Sequence, residues 1–83
     1  MKKNNKQGKG KKMISVHDIM KRHNLSYQTV NHYTNFGLLS VSIREGKLRL
    51  YDKGVVEKRL RKVKELVKEG YSLGLIRKRL IGI

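Results

Sequence analysis

The chain contains no cysteine, and its apolar residues never gather into a long run. Without thiols it can form neither a disulfide framework nor a cysteine-ligated metal site. No segment approaches the roughly 18 consecutive apolar residues of a membrane span, and the N-terminus lacks the apolar region of a secretory signal. We therefore expect a cytoplasmic protein, and its 83 residues are enough for one small domain.

Acidic residues are also few, because 6 Asp and Glu stand against 21 Lys and Arg, for a formal net charge of +15. A surplus of this size indicates an anionic partner. Nucleic acid is the first expectation and implies association with the nucleoid; an acidic membrane surface and an acidic protein are the alternatives. The membrane alternative needs a basic helix with a free apolar face, whereas the apolar residues of the C-terminal helices are needed for the core.

The first twelve residues, "MKKNNKQGKGKK", contain six lysines and no apolar side chain after Met1. Such a segment cannot bury surface, so we predict a disordered arm over residues 1–12 and a folded domain over residues 13–83. The arm either lies along phosphates and adds affinity without sequence preference, or it only keeps the protein in solution.

Two short helices joined by a tight turn are predicted at the start of the domain. Ser15 can cap a helix that runs to about His23, and Asn24 tolerates the left-handed conformation of a tight turn. Ser26 can cap a second helix, which ends before Gly37. This arrangement is a helix-turn-helix.

A β-hairpin, or wing, is predicted in the segment "LLSVSIREGKLRLY", with its loop at "REG". The alternation places apolar residues on one side of the wing and basic residues on the other. Asp52 then caps a helix of residues 53–69, and Ser72 caps a last short helix. The core positions expected on these two helices are Val56, Leu60, Val63, Val67, Leu73, Ile76 and Leu80. The predicted fold class is mainly α with a small β-hairpin, in the order helix-turn-helix, wing, helix, helix.

Three segments, "SVHDIMKRHNLSYQTVNHYTNFGLL", "KLRLYDKGVVEKRL" and "LVKEGYSLGLIRKRL", follow one another over most of the chain. Together they resemble the DNA-binding domain of the MerR family. They are similar to its helix-turn-helix and the Gly-Leu-Leu after it, to its wing leading into the third helix, and to its Gly-aromatic-Ser-Leu turn before the fourth. The resemblance implies a winged helix-turn-helix with the second helix in the major groove and the wing against the flanking backbone.

Carried onto this chain, the resemblance implies a set of DNA-contacting residues. On the second helix these are Tyr27, Gln28, Thr29, Asn31, His32 and Tyr33; on the wing they are Lys47, Arg49 and Tyr51. Tyr33 has core packing as its alternative role, and Tyr51 has anchoring of the wing. Ser26 joins the set because its hydroxyl and that of Thr29 can meet a phosphate beside the free N–H groups of the helix start.

The chain departs from the family pattern in two respects. Family members usually carry Arg at the positions of Gln28 and Asn31 and Tyr at that of His32, so this chain should read different bases. The sequence also stops at Ile83, where family regulators continue into a long dimerising helix and an effector-binding segment. We therefore expect a small stand-alone form, and the resemblance does not carry ligand sensing or promoter twisting over to it.

The segment from His23 to Ile43 contains no charged side chain if His is neutral. Contacts to phosphates hold a protein on DNA, whereas contacts to base edges choose the sequence. Asn and Gln can each make two hydrogen bonds to adenine, which suits Gln28 and Asn31 for a reading role. We expect the surrounding cations to attract the DNA and this neutral helix to select the base sequence.

Three functions are compatible with these features. The first is a sequence-specific regulator of transcription that binds double-stranded DNA. The second is an architectural DNA-binding protein, such as a recombination directionality factor or a chromosome-organising protein, with further copies of the chain on the DNA. The third is an RNA-associated protein. We expect no enzyme activity and no cofactor, because "GYSLG" lacks the strand and large sheet of a nucleophile elbow and the three histidines have no metal-ligand spacing.

Overall fold

The computed structural model describes residues 12–82, and the arm predicted over residues 1–12 lies outside this part of the chain except for Lys12. Four helices and three strands follow one another from end to end. They are β1 (Met13–Ser15), α1 (Val16–His23), α2 (Tyr27–Asn35), β2 (Ile43–Glu45), β3 (Leu48–Asp52), α3 (Lys53–Lys68) and α4 (Leu73–Ile81). The expected order of helix-turn-helix, wing, helix and helix is confirmed. No helix within residues 12–82 combines the length and the apolar character that a membrane crossing requires.

Side-chain caps begin the helices where the sequence predicted them. The Ser15 hydroxyl accepts a hydrogen bond from the Asp18 N–H at 3.1 Å, and the Asp18 carboxylate accepts from the Ser15 N–H at 3.0 Å, so both halves of a capping box are present. The bond that the Ser15 N–H donates to the carboxylate lowers the pKa of Asp18. Asn24 has a φ of +54° and turns the chain out of α1.

A helix break and a close approach explain the glycine that follows α2. Phe36 closes the helix, and Gly37 has a φ of +87°, which side chains with a Cβ rarely adopt. A Cβ at this position would also lie 3.2 Å from Cδ1 of Ile81 on α4. Gly37 therefore lets the end of α2 pack closely against the last helix.

The sheet has one strand more than the sequence indicated. β1 pairs antiparallel with β3, with Ile14 opposite Tyr51, and β3 pairs with β2, so the strand order is β1-β3-β2. The predicted loop at "REG" is wrong, because Arg44 and Glu45 belong to β2 and the two-residue turn is Gly46 and Lys47. Only tertiary pairing distinguishes the three residues of β1 from the irregular lead-in to a helix.

The two faces of the wing are reversed relative to the expected pattern. Tyr51 is 0% exposed, and Arg49 lies on the same strand face as Tyr51, so this face is directed toward the body of the domain. On the opposite face Ile43 is 41% and Leu48 is 48% exposed. The aromatic ring of Tyr51 is part of the buried core, so the face that carries it is the inner face of the wing.

Two clusters of buried residues hold the helices together. The first lies beneath the sheet and the helix-turn-helix and consists of Ile14, Ile19, Val30, Leu39, Tyr51, Val56 and Leu60. The second joins α3 to α4 and consists of Leu38, Val63, Leu66 and Ile76. Tyr33 of α2 packs against both clusters, so α2 is fixed to the whole domain. Burying a side chain such as Val30 contributes about 1.5–3 kcal/mol.

One predicted core position on α3 is wrong. Val67 is 50% exposed, and the adjacent Leu66 is buried in its place against Val63 and Ile76. Neighbouring residues of a helix point about 100° apart, so the position of α4 decides between them. Val67 is left as an apolar side chain that the described residues do not cover.

Candidate nucleic-acid interface

One side of α2 presents neutral polar side chains to solvent, and we call it the polar face of α2. It consists of Tyr27, Gln28, Asn31 and His32. Tyr27 is 53% exposed, Gln28 and His32 are exposed, and Asn31 is half-buried. Val30, Tyr33 and Thr34 lie on the inward side of the same helix. The helix therefore separates residues that hold it in place from residues that can meet a ligand.

An arginine of the wing is bound to this polar face. Nη2 of Arg49 donates a hydrogen bond of 2.6 Å to Oδ1 of Asn31. The guanidinium carbon of Arg49 also lies 5.9 Å from the ring centroid of Tyr27, within the range of a cation–π contact. The structure thus brings together Tyr27, Asn31 and Arg49, which the resemblance implied as DNA contacts on two separate elements.

A second link fixes the wing to α2 from the inside. The Thr34 hydroxyl donates to the Val30 carbonyl at 2.8 Å, and the hydroxyls of Thr34 and Tyr51 lie 2.9 Å apart. Since the single Thr34 proton is used on Val30, the Tyr51 hydroxyl is the donor to Thr34. This bond fixes the position of β3 relative to α2.

The buried position of Tyr51 corrects one expected contact. A ring that is 0% exposed cannot reach a duplex, so the expectation that Tyr51 touches DNA is wrong and its anchoring role is the correct alternative. Tyr33 is half-buried and packs against both core clusters. A DNA contact by Tyr33 remains an untested prediction.

The hydrogen bonds at the start of α2 leave the hydroxyl proton of Thr29 unused. Ser26 accepts from the Thr29 N–H at 3.1 Å, and its own hydroxyl donates to Oγ1 of Thr29 at 3.0 Å. The Thr29 hydroxyl proton is then free for another acceptor, as are the N–H groups of Tyr27 and Gln28, which have no intrahelical partner. These three donors lie close together, and an anion can accept hydrogen bonds from them.

The other end of α2 is held by stacked side chains. His32 stacks on Phe36 with a centroid distance of 5.4 Å and an interplanar angle of 24°. The guanidinium carbon of Arg77 on α4 lies 4.5 Å from the centroid of the Phe36 ring. The sequence did not predict that Phe36 and Arg77 would contact this face. The one signal was that the polar helix ends in an aromatic residue. The stack limits the motion of His32, which remains exposed.

Cations of the wing are not neutralised by carboxylates. Arg44 and Arg49 lie directly opposite each other on β2 and β3, and Lys47 is exposed in the turn. The two ion pairs formed within residues 12–82 are elsewhere: Arg22 with Glu57 at 2.9 Å and Lys62 with Glu65 at 3.6 Å. Like charges in opposed positions of a sheet are unfavourable, so an anion close to the wing would relieve them. Arg44 had been placed in a loop and was not expected at the site.

Two pKa shifts occur beside the helix-turn-helix. The hydrogen bonds from Arg22 lower the pKa of Glu57, which keeps that carboxyl ionised. Burial lowers the pKa of His23, with Lys64 and Arg22 acting in the same direction and Glu57 opposing them. His23 is therefore a neutral ring at neutral pH.

Two of the cations on α3 have structural partners. Nη1 of Arg59 donates to the Leu38 carbonyl at 3.3 Å, and Lys62 pairs with Glu65. No cluster of three or more His, Cys, Asp or Glu side chains able to hold a metal ion occurs in the part of the chain that the structure describes. The polar face of α2 and the wing together place neutral amides beside cations that are unpaired within the described residues.

A helix-turn-helix whose second helix is exposed beside a basic β-hairpin defines the class of winged helix-turn-helix DNA-binding domains. Residues 14–81 match the family described as MerR HTH family regulatory protein. The match spans most of the chain, so the protein belongs to the MerR family of DNA-binding regulators, which confirms the resemblance read from the sequence. Comparisons with curated proteins and with solved structures gave no significant match.

Proposed function

We propose that this protein is a sequence-specific regulator of transcription that inserts α2 into the major groove of double-stranded DNA. One observation carries the proposal: the polar face of α2 is neutral, exposed and bounded by Arg49 in a chain whose net charge is +15. Cations held around a neutral helix attract the duplex without making the helix grip any nearby phosphate. The neutral amides then discriminate between base edges.

The hydrogen bond from Arg49 revises what Asn31 can read. A guanidinium only donates, so Asn31 must use its oxygen toward Arg49 and direct its NH2 group outward. An outward NH2 group suits base edges that accept, such as O6 and N7 of guanine or O4 of thymine. We therefore propose that Asn31 reads an acceptor edge, in place of the two-bond contact to adenine that the sequence suggested. Gln28 is exposed and keeps both halves of its amide for adenine.

The wing supplies the phosphate contacts in this proposal. Arg44 faces Arg49 across the strands without an acidic partner, and Lys47 extends from the turn. A phosphate near this group relieves the repulsion between the arginines and releases condensed counterions from the DNA. The Thr29 hydroxyl and the N–H groups of Tyr27 and Gln28 can donate to a second phosphate at the start of α2.

The size of α2 favours more than one copy of the chain on each site. Nine residues extend over about 13 Å, which is the length of about four base pairs. Helix-turn-helix proteins generally gain affinity by placing a second reading helix one helical turn away. We propose that a full site contains two or more short half-sites.

A selection from randomised duplexes, followed by fluorescence anisotropy titrations, tests the proposed function. The expected result is an enriched motif whose affinity exceeds that of scrambled duplexes. Equal affinity for all duplexes would overturn sequence-specific reading, and bending with footprints that grow copy by copy would then favour an architectural protein.

Two substitutions at one position sharpen this test. Asn31→Ala should remove the preference at one base pair, at a cost of about 1–3 kcal/mol for the preferred base. Asn31→Asp keeps the acceptor for Arg49 but loses the NH2 group, so it should disfavour guanine and favour cytosine, whose N4 donates. If both variants kept the parental base preference, Asn31 would not be a reading residue.

A further inference from the structure

A pocket of about 180 Å³ lies between the turn of the helix-turn-helix and the C-terminal half of α3, and we call it the α3 pocket. It shares no residue with the polar face of α2 or with the wing. One wall comes from the turn and α2, and the other from two turns of α3. Its lining residues are His23, Leu25, Tyr33, Leu60, Val63, Lys64, Val67 and Lys68.

The floor of the α3 pocket is apolar. Leu25, Leu60 and Val63 contribute only hydrocarbon to it, and Val67 extends this surface to the rim with half of its side chain exposed. Apolar surface gains about 25 cal/mol for each Å² removed from water, so an apolar group of fitting shape would be held here.

Two lysines lie on the α3 side of the pocket. Lys64 and Lys68 lie one helical turn apart on α3, both are exposed, and neither belongs to an ion pair among residues 12–82. The ring of His23 lines the wall, and its Nε2 is buried without a hydrogen-bond partner from the described residues. The pocket thus combines an apolar floor with two free ammonium groups, which is complementary to an amphipathic anion.

The volume limits the size of the apolar group. An apolar cavity of about 150 Å³ in another protein holds one benzene molecule, and the α3 pocket is slightly larger. We propose that the α3 pocket binds a small organic carboxylate, with one aromatic ring or a short alkyl chain inside and the carboxylate beside Lys64 and Lys68. This proposal goes beyond DNA binding and does not depend on it.

Titrations of the ¹⁵N-labelled full chain with benzoate, and with benzyl alcohol as the uncharged counterpart, test the proposal. Benzoate should give saturable amide shifts at residues 23–25, 33 and 60–68, and should bind up to about fivefold more tightly than benzyl alcohol, which is the upper range for one exposed ionic contact. Shifts spread evenly over lysine-rich surfaces, or no saturation, would overturn it.

A matched pair of variants distinguishes benzoate binding in the pocket from nonspecific attraction to the positive surface. Val67→Asp places a carboxylate at the rim, whereas Val55→Asp makes the same charge change at a valine of α3 that is 54% exposed and outside the pocket. Benzoate binding should be lost in Val67→Asp and kept in Val55→Asp. Equal effects of the two variants would contradict a site in the pocket.

The remaining outcome concerns another occupant. If the amides lining the pocket shifted on dilution of the protein alone, and sedimentation showed a matching change in mass, a second copy would fill the pocket. That result would overturn the carboxylate proposal, and it would leave the proposed reading of DNA by α2 untouched.

Discussion

The bond between Tyr51 and Thr34 allows a sharp test of how the wing is attached to α2. Tyr51 donates to Thr34 at 2.9 Å inside the fold, and Thr34 donates in turn to the Val30 carbonyl. Thr34→Val keeps the shape but removes the acceptor, so the buried Tyr51 hydroxyl loses its partner. Tyr51→Phe removes the donor and leaves no buried O–H group unsatisfied.

The two variants should therefore differ in cost. A buried donor without a partner costs about 1–3 kcal/mol, whereas the net loss of one hydrogen bond costs about 0.5–1.5 kcal/mol. We expect Thr34→Val to be more destabilising than Tyr51→Phe. The double variant should cost less than the sum of the two, since replacing both partners by apolar groups removes the unsatisfied hydroxyl, and the difference should be about 1 kcal/mol.

Urea unfolding followed by circular dichroism measures the three free energies of unfolding, and the slopes with urea must agree for the comparison to hold. In thermal unfolding, each 1 kcal/mol corresponds to about 4–8 °C for a domain of this size. Strictly additive costs would contradict any bond between the two hydroxyls, and a larger cost for Tyr51→Phe than for Thr34→Val would refute the assigned direction of the bond.

Three further predictions concern the helix cap, pH and salt. Ser15→Ala removes the hydroxyl that accepts from the Asp18 N–H, keeps the backbone N–H that donates to the Asp18 carboxylate, and should destabilise the fold by about 0.5–2 kcal/mol in urea unfolding; an unchanged midpoint would contradict the cap. Because burial lowers the pKa of His23 in the folded state, the unfolded chain binds more protons as the pH falls below the ordinary value of 6.5. Stability should fall over that range, and His23→Gln should flatten the dependence more than His17→Gln, which changes an exposed ring. Lys47→Ala should weaken binding to every duplex equally and reduce the slope of log K against log salt by about one; a loss confined to one sequence would show a base contact instead.

Local signals in the sequence were sufficient for the helices. Polar caps at Ser15, Ser26, Asp52 and Ser72 and a helical spacing of apolar residues depend only on neighbours in the chain, and all four caps are present. The order of elements followed from them. The family resemblance added the role of the second helix, which periodicity alone does not indicate.

Features set by distant contacts were predicted less well. β1 has only three residues, and its pairing with β3 crosses more than thirty residues of chain. The inward face of the wing depends on the fit of Tyr51 beneath the sheet, and the choice of Leu66 over Val67 depends on α4. No local pattern contains this information.

In the candidate site too, features set by neighbouring residues were predicted and those set by distant contacts were not. Tyr27, Gln28, Asn31 and His32 could be placed on one side of a helix by spacing, and the structure leaves them on its outer side. The contact from Arg49 to Asn31 could not be anticipated, because it joins a strand to a helix through one choice of side-chain conformation. That contact changes the base edge that we expect Asn31 to recognise.

The central claim is that a neutral helix enters the groove while cations around it hold the backbone, and amide chemical-shift mapping with a selected duplex tests it most directly. The largest changes should occur at residues 26–32 and at Lys47 and Arg49, with smaller changes at the other lysines. Changes confined to residues 1–12 and the exposed side of α3, with residues 26–32 unmoved, would contradict the account.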